Sequence, residues 1–208
     1  MAENAPLKLL MIISGYPPAA KAGLESGCKR FAEGLARRGH KVRVLTLKKE
    51  GLPLQAEEDE GVIVHRALAP ISLGPAWGMT YMLQIKRWMR MLAREYDLAM
   101  CHALYLHSAV AASEAARLGR KSATLLASSG ALSDIEYLRG HSFGERLVRQ
   151  ALQEDGYFAL SNNIARELAE AGAPPERIWR ARNFLDHMPP SPPPPPEKPV
   201  FLTLGRFH

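Results

Sequence analysis

The sequence predicts an α/β protein built on one doubly wound parallel sheet of about seven strands, with helices on both faces. Short, nearly continuous apolar runs, typical of strands buried on both faces, recur along most of the 208 residues. Segments with helical spacing of apolar residues alternate with these runs, and small-residue loops separate the two kinds of segment. None of the apolar runs reaches the ~18 residues that a membrane-spanning helix requires.

The first 47 residues predict a strand–helix–strand unit. Residues 7–13 form an apolar run that ends at Ser14-Gly15, as expected of a buried strand. Between Leu24 and Leu35, apolar residues recur at steps of four, three and four, which places them on one helical face. Gly39 follows two arginines and is a typical helix C-terminus, and residues 42–47 form the second strand. Such a unit is expected to have a right-handed crossover.

The same alternation continues to residue 180. Further strands are predicted at residues 62–64, 98–101, 122–127, 157–160 and 178–180. Further helices are predicted at residues 79–94, 103–118, 131–138, 143–154 and 162–171. Ser161 is the expected N-cap of the last of these helices.

A proline-rich segment sets the predicted domain boundary. Eight of the eleven residues from 189 to 199 are proline, a composition that favours a semi-rigid polyproline II spacer. Residues 1–188 are therefore predicted to form one domain, residues 189–199 a linker, and residues 200–208 a strand that follows the linker.

Charge and cysteine content narrow the possible partners. The chain carries 27 Lys and Arg against 21 Asp and Glu, a net charge of +6 that favours anionic partners such as phosphates or acidic lipid headgroups. It shows neither zinc-ligand spacing nor an aromatic-rich nucleic-acid motif, so no nucleic-acid partner is expected. The N-terminus lacks signal-peptide features, and Cys28 and Cys101 fit buried thiols, which together predict a cytoplasmic protein.

The loops after the predicted strands are the candidate functional positions, because ligands of open α/β sheets bind beyond the carboxyl ends of the strands. The first such loop contains Gly15 and Gly23 and precedes a helix, an arrangement that suits a phosphate. Its spacing matches neither GxGxxG nor GxxxxGK, and no acidic residue follows the second strand at Lys48. A dinucleotide cofactor is therefore disfavoured, and an ordinary strand–helix loop remains the alternative.

Histidine and serine residues occupy other strand ends. His102 follows the fourth strand, and His107 lies one helical turn further on. A structural histidine is the alternative reading of either position. Ser129-Gly130 suits a sugar hydroxyl or a phosphate, or is simply a turn, and GxSxG is absent.

The helix predicted at residues 79–94 allows two interpretations. One face is apolar and the other is basic (Met82, Ile85, Met89 and Leu92 against Lys86, Arg87, Arg90 and Arg94). The first interpretation is a core helix with a solvated basic side. The second is a basic helix that contacts anionic membranes, with Trp77 or Trp88 at the level of the headgroups.

Four segments, taken in order, resemble glycosyltransferase family 4. The first is YPPAAKAGLESGCKRFAEGLARRGHKVRVLT, in which Gly23 and Glu25 match the family's Gly-Gly-x-Glu loop. The second is YDLAMCHALYLH, with His102 on the second histidine of a His-x-His segment. The third, YFALSNNIARELAEAGAPPERIWRARNFLD, places Asn183 and Asp186 on an Asn-Gly-Val-Asp motif. The fourth is VFLTLGRFH.

The resemblance implies the Rossmann-like, N-terminal half of a GT-B enzyme. Such enzymes transfer a sugar from a nucleotide-sugar donor to a glycan or lipid acceptor, usually with retention, and require no metal or other cofactor. The N-terminal half mainly holds the acceptor, and cell-envelope polysaccharide biosynthesis is the expected setting. The resemblance implies catalytic roles for His102 and Ser129, and donor-diphosphate contacts for Gly23 and Arg206. It also implies substrate-binding roles for Tyr16, Glu25, Gly130, Asn183 and Asp186.

The chain departs from the family pattern at several positions. Ala22 stands for the first glycine of the loop, Ser129 for the family's histidine, and Phe184-Leu185 for Gly-Val. The family's donor-site lysine and Glu-x7-Glu segment would lie beyond residue 208, so the chain alone is expected to be inactive.

Two further expectations remain open. The alternative to a transferase half is a stand-alone, non-catalytic α/β binding or interaction module, and the coding DNA beyond residue 208 would distinguish the two. An exposed cleft face that normally meets a second domain also allows self-association.

Overall fold

The computed structural model describes residues 5–57 and 59–183 and contains one eight-stranded sheet. The strands are β1 (Lys8–Ile12), β2 (Lys41–Leu47), β3 (Gln55–Glu57), β4 (Ile63–Leu68), β5 (Leu98–His102), β6 (Lys121–Leu126), β7 (Gly156–Ala159) and β8 (Ile178–Arg180). The α-helices are α1 (Gly23–Ala36), α2 (Pro75–Met91), α3 (Leu106–Arg117), α4 (Asp134–Arg139), α5 (Gly144–Ala151) and α6 (Asn162–Glu170).

The sheet is doubly wound, as the sequence predicts. Its strand order is β3-β4-β2-β1-β5-β6-β7-β8. Every neighbouring pair is parallel except β3 and β4, which are antiparallel. The chain reverses direction across the sheet between β1 and β5, and at such a switch point the loops diverge and leave a crevice.

Alternation along the strands gives the sheet two cores. Leu10 and Ile12 of β1 face a large core that contains residues of α2 through α6. Leu9 and Met11 face a smaller core, into which Cys28 of α1 packs. In the part of the chain that the structure describes, α1 is the one α-helix in this second core. On this side of the sheet, β6, β7 and β8 are therefore not covered by a further helix among the described residues.

The structure differs from the sequence prediction at several element ends. The additional eighth strand is β3, a three-residue antiparallel edge strand without apolar alternation. Helix α2 begins at Pro75 rather than residue 79, since proline fits the first helical turn. Helix α3 begins at Leu106 rather than residue 103, because Ala103 adopts a positive φ of 73°.

The segment predicted as a helix at residues 131–138 divides in two. A short 3₁₀ turn at Gly130–Leu132 precedes α4, where the Ser133 side chain accepts a hydrogen bond from the Glu136 amide. The predicted Ser161 cap of α6 is confirmed, since its side chain accepts from the Ile164 amide. The linker at residues 189–199 and the strand at 200–208 lie outside the described residues.

Candidate functional site

A cleft of about 470 Å³ lies at the carboxyl edge of the sheet, within the size range of small-molecule sites. Its first wall is α1, which contributes Gly23 and Phe31. Its floor comes from β6 and β7, through Leu125 and Phe158, on the sheet face that extends beyond α1. The segment after β8 forms the opposite wall. The cleft therefore connects the switch point with the far edge of the sheet.

The N-terminus of α1 opens into this cleft at Gly23. Ala22, the residue before the helix, provides no side-chain cap, and the first amides of a helix have no intrahelical acceptor. A Cβ atom added at Gly23 would meet no other atom within 4 Å, so a ligand can approach the backbone there. These amides, together with the helix dipole, favour an anion.

His102 ends β5 and lines the same cleft. Its side chain is 2% exposed, and its Nε2 atom has no hydrogen-bond partner among the described residues. Burial, with a smaller contribution from His107, lowers the pKa of His102 to about 3. The imidazole is therefore neutral at physiological pH and can donate or accept one hydrogen bond without adding charge.

His107 holds the backbone beside His102. Its Nε2 lies 3.1 Å from the carbonyl oxygen of His102 and 3.2 Å from that of Ala103, contacts in which the nitrogen donates. Its Nδ1 then accepts from the Tyr81 hydroxyl at 3.2 Å. Burial lowers the pKa of His107 to about 4, so this neutral tautomer persists across physiological pH. His107 is thus a positioning residue, because it fixes the backbone next to His102.

Asp134 connects the loop after β5 with the loop after β6. Its carboxylate accepts from the Leu104 amide at 3.1 Å and from the Ser128 hydroxyl. Burial raises the pKa of Asp134 above its ordinary value, although both hydrogen bonds oppose that shift. Because Ser128 is the neighbour of Ser129, Asp134 couples the position of Ser129 to that of the loop after His102. Sequence reasoning missed this residue.

Ser129 and Gly130 adjoin a separate groove. Gly130, with Glu136, Arg139 and Glu167, lines a polar depression of about 630 Å³ beside α4 and α6. The Gly130 amide donates to Glu167 Oε1 at 2.8 Å. Neither Ser129 nor Gly130 is among the residues that line the α1 cleft, so the two sequence-predicted groups occupy adjacent surfaces.

The remaining predicted residues have different settings. Gly23, His102 and Asn183 share the cleft. Tyr16 is 1% exposed and packs in the smaller core beneath the first loop. Glu25 is half-buried, with its Oε2 atom unpaired among the described residues. Asp186 and Arg206 lie outside the residues that the structure describes.

Three arginines in the cleft were not identified from the sequence. Arg30 lies on α1, and Arg180 and Arg182 lie at and after the end of β8. Arg30 is seven residues beyond Gly23 and so falls near the same helical face. The other two lie just before Asn183, the position matched to the family's asparagine. Both signals were available in the sequence.

A second, more apolar groove of about 620 Å³ lies between α2, α3 and α5. Met79 and Leu83 beside it are both 57% exposed, and Phe143 is 82% exposed. Lys86 and Arg146 also line it, and no carboxylate residue does so among the described residues. The two tryptophans of this region are partly buried: Trp77 stacks on Tyr81 with ring centroids 4.9 Å apart, and Trp88 contacts His65 at 5.5 Å.

The described residues contain neither a metal-ligand cluster nor a membrane-spanning helix. No group of three or more His, Cys, Asp or Glu side chains is arranged to hold a metal ion within residues 5–57 and 59–183. None of the helices in those ranges is both long and apolar enough to cross a bilayer.

Comparison with known proteins identifies related sequences and folds. The sequence profile of Glycosyltransferase Family 4 matches residues 22–188. An uncharacterized glycosyltransferase of Methanocaldococcus jannaschii is 36% identical over 104 residues, which is 49% of this chain and 26% of that protein.

Solved structures share the fold at low identity. Anabaena HepE in complex with UDP-glucose has a TM-score of 0.61 at 17% identity, covering 86% of this chain and 44% of that chain. The catalytic domain of Arabidopsis thaliana starch synthase IV, bound to ADP and acarbose, has a TM-score of 0.58 at 14% identity, covering 88% and 52%. The chain thus spans about half or less of these proteins.

Proposed function

The chain belongs to glycosyltransferase family 4, and we propose that it forms the acceptor-binding half of a retaining GT-B glycosyltransferase. The donor is a nucleotide sugar, and the acceptor is a glycan or a lipid. The observation that carries this proposal is the cleft at the carboxyl edge, where an uncapped helix N-terminus and His102 line the same space, and the buried Nε2 of His102 has no hydrogen-bond partner among the described residues. The nucleotide-sugar complex of the related HepE fold supports the donor class.

The residues of the cleft suggest a division of roles. The amides at Gly23 stabilise a phosphate of the donor where it approaches this half. His102 forms a hydrogen bond to the reacting sugar or the acceptor and remains neutral, since burial lowers its pKa to about 3. Ser129, on the adjacent loop that Asp134 holds, lies beside the acceptor path.

The donor side requires residues outside the described part of the chain. Asp186 and Arg206 are proposed to contact the sugar and its diphosphate, respectively, once a second domain faces the cleft. An electrostatic contact stabilises a transition state only when it is held in place. We therefore expect residues 1–208 alone to transfer no sugar.

A transfer assay tests this function. The chain is fused at residue 208 to the part of HepE that this chain does not cover, and sugar transfer from UDP-glucose to glycan and lipid acceptors is measured. The fusion is expected to be active, His102→Ala to lower its rate at least tenfold, and His40→Ala, at a residue that does not line the cleft, to leave it unchanged. Efficient transfer by residues 1–208 alone would contradict the division between halves, and an unaffected His102→Ala rate would contradict the role of His102.

The groove between α2 and α5 supports peripheral contact with an anionic membrane. Met79, Leu83 and Phe143 expose apolar side chains beside Lys86 and Arg146, a combination that suits acyl chains below acidic headgroups. The partly buried tryptophans would take no direct part. Both cysteines are free and buried, which supports the cytoplasmic face of such a membrane.

Vesicle sedimentation tests the membrane contact. The chain is expected to bind phosphatidylglycerol vesicles at low salt and to bind phosphatidylcholine vesicles weakly. Leu83→Ser should reduce binding, whereas Leu132→Ser, at a site that is 88% exposed but outside the groove, should not. Equal binding to both vesicle types, or equal loss in both variants, would refute the assignment.

A further inference from the structure

The cleft contains an excess of positive charge that a single donor phosphate does not account for. Arg30, Arg180 and Arg182 all line it, and no Asp or Glu is among the described residues that do so. None of the three guanidinium groups forms an ion pair within residues 5–57 and 59–183. Three like charges in one cleft repel each other unless a bound anion offsets them.

One of these arginines is held by hydrogen bonds, and a second is partly buried. Arg180 donates from Nη1 to the Ala159 carbonyl oxygen at 3.0 Å and from Nη2 to the Leu160 carbonyl oxygen at 3.4 Å. These carbonyl groups lie at the end of β7 and just after it, so the Arg180 guanidinium is fixed at the carboxyl edge of the sheet. Arg30 is half-buried, and its Nε atom is buried without a hydrogen-bond partner among the described residues.

The arginines are separated from the N-terminus of α1. Arg30 is seven residues beyond Gly23, which corresponds to about 10 Å along the helix axis. Arg180 and Arg182 belong to the opposite wall, at the far edge of the sheet. If the helix N-terminus takes a donor phosphate, the arginines are free to bind a second anionic group.

The other groups in the cleft offer little to a neutral sugar. Carboxylates and amides are the side chains that pair best with several hydroxyls, and here Asn183 is the one side-chain amide among the described lining residues. His102 adds one unpaired nitrogen from a buried position. Leu125 and Phe158 form an apolar floor that suits the C–H face of a sugar ring.

We propose that the acceptor of this enzyme carries a phosphate or carboxylate group, which Arg30, Arg180 and Arg182 bind while the sugar ring lies on Leu125 and Phe158. This inference rests on the proposed function and names the acceptor class as an acidic or phosphorylated sugar. A guanidinium pairs with either anion through two parallel hydrogen bonds, so both share one recognition chemistry.

Calorimetric titration of residues 1–208 tests the inference with glucose, glucuronate and glucose 6-phosphate. Both charged sugars are expected to bind at least about tenfold more tightly than glucose at low salt, and the preference should shrink as salt rises. The Arg180→Gln/Arg182→Gln variant should lose this preference. Arg166→Gln, which removes an exposed arginine of α6 outside the cleft, should retain it.

Further titrations identify the source of the anion. Arg182→Glu reverses one exposed charge and should also lose the preference for charged sugars. It replaces the double variant in the titrations if the double variant fails to fold. UDP is expected to bind the double variant and the unsubstituted chain equally. If UDP loses affinity in the double variant and competes with glucuronate, the arginines serve the donor, and the inference is wrong.

Absence of charged-sugar binding, or equal affinity for charged and neutral sugars, would also overturn the inference. Neither result would affect the proposed transferase function, which the fusion assay tests separately through sugar release to a panel of acceptors.

Discussion

Replacing Glu154 by glutamine is expected to stabilise the fold at neutral pH. The Glu154 side chain is 0% exposed, and neither carboxylate oxygen has a hydrogen-bond partner among the described residues. The neighbouring Thr124 hydroxyl opposes the effect of burial on the pKa of Glu154, although it does not meet hydrogen-bond geometry with either carboxylate oxygen. A buried carboxylate without a partner strongly favours its protonated form.

The size of the effect depends on pH. Burial raises the pKa of Glu154 well above its ordinary value, so the folded state retains a proton that the unfolded state releases. Stability is therefore lost as pH rises above the unfolded pKa of about 4.3, by about 1.4 kcal/mol for each pH unit until the folded pKa is reached. Glutamine carries no titrating group, so the variant does not lose this stability. Its free energy of unfolding relative to the unsubstituted protein should therefore rise with pH by the same amount.

Urea denaturation of the unsubstituted protein and Glu154→Gln at pH 5 and pH 6 measures this difference. The free energy of unfolding of the variant, relative to the unsubstituted protein, is expected to increase by about 1 kcal/mol between the two pH values. Glu170→Gln, at a side chain that is 68% exposed, should show no such increase. A constant difference for Glu154→Gln would refute the burial of an unpaired carboxylate.

Three further predictions follow from packing and capping. Gly156→Ala should destabilise the fold by about 1–3 kcal/mol in urea denaturation, because its Cβ would lie 2.1 Å from Trp179 Cζ3; an unchanged midpoint would contradict that packing. Ser161→Ala should cost about 1 kcal/mol through loss of the α6 cap, and an unchanged thermal midpoint would argue against the cap. Burial raises the pKa of the Cys28 and Cys101 thiols, so both should react with a disulfide reagent only after unfolding, and rapid labelling of the native protein would contradict their burial.

The order of strands and helices could be predicted because the sheet is covered on both faces over much of its extent. Apolar runs such as residues 7–13 therefore stand out from the helical segments. The antiparallel strand β3 could not be predicted in this way. It has three residues, lies at the sheet edge, and depends on pairing with Ile63 to His65 rather than on its own sequence pattern.

The candidate site was predictable in its position more than in its composition. Ligands of open α/β sheets bind beyond the carboxyl ends of the strands, and Gly23, His102 and Asn183 all lie at or after strand ends. The structure places these three residues in one cleft. The position of the strand ends does not reveal which side chains face that cleft: Tyr16, on the first loop, is buried in the core instead. The contribution of Arg30 depends on how α1 sits over the sheet, which is a tertiary property.

Amide chemical-shift mapping of residues 1–208 during titration with UDP-glucose tests most directly whether the carboxyl-edge cleft is the ligand site. The account predicts shifts concentrated at residues 22–27 and 102–107, whether binding is weak or strong. Shifts confined to the groove at residues 74–86 and 141–150, or no shifts at saturating ligand, would contradict it.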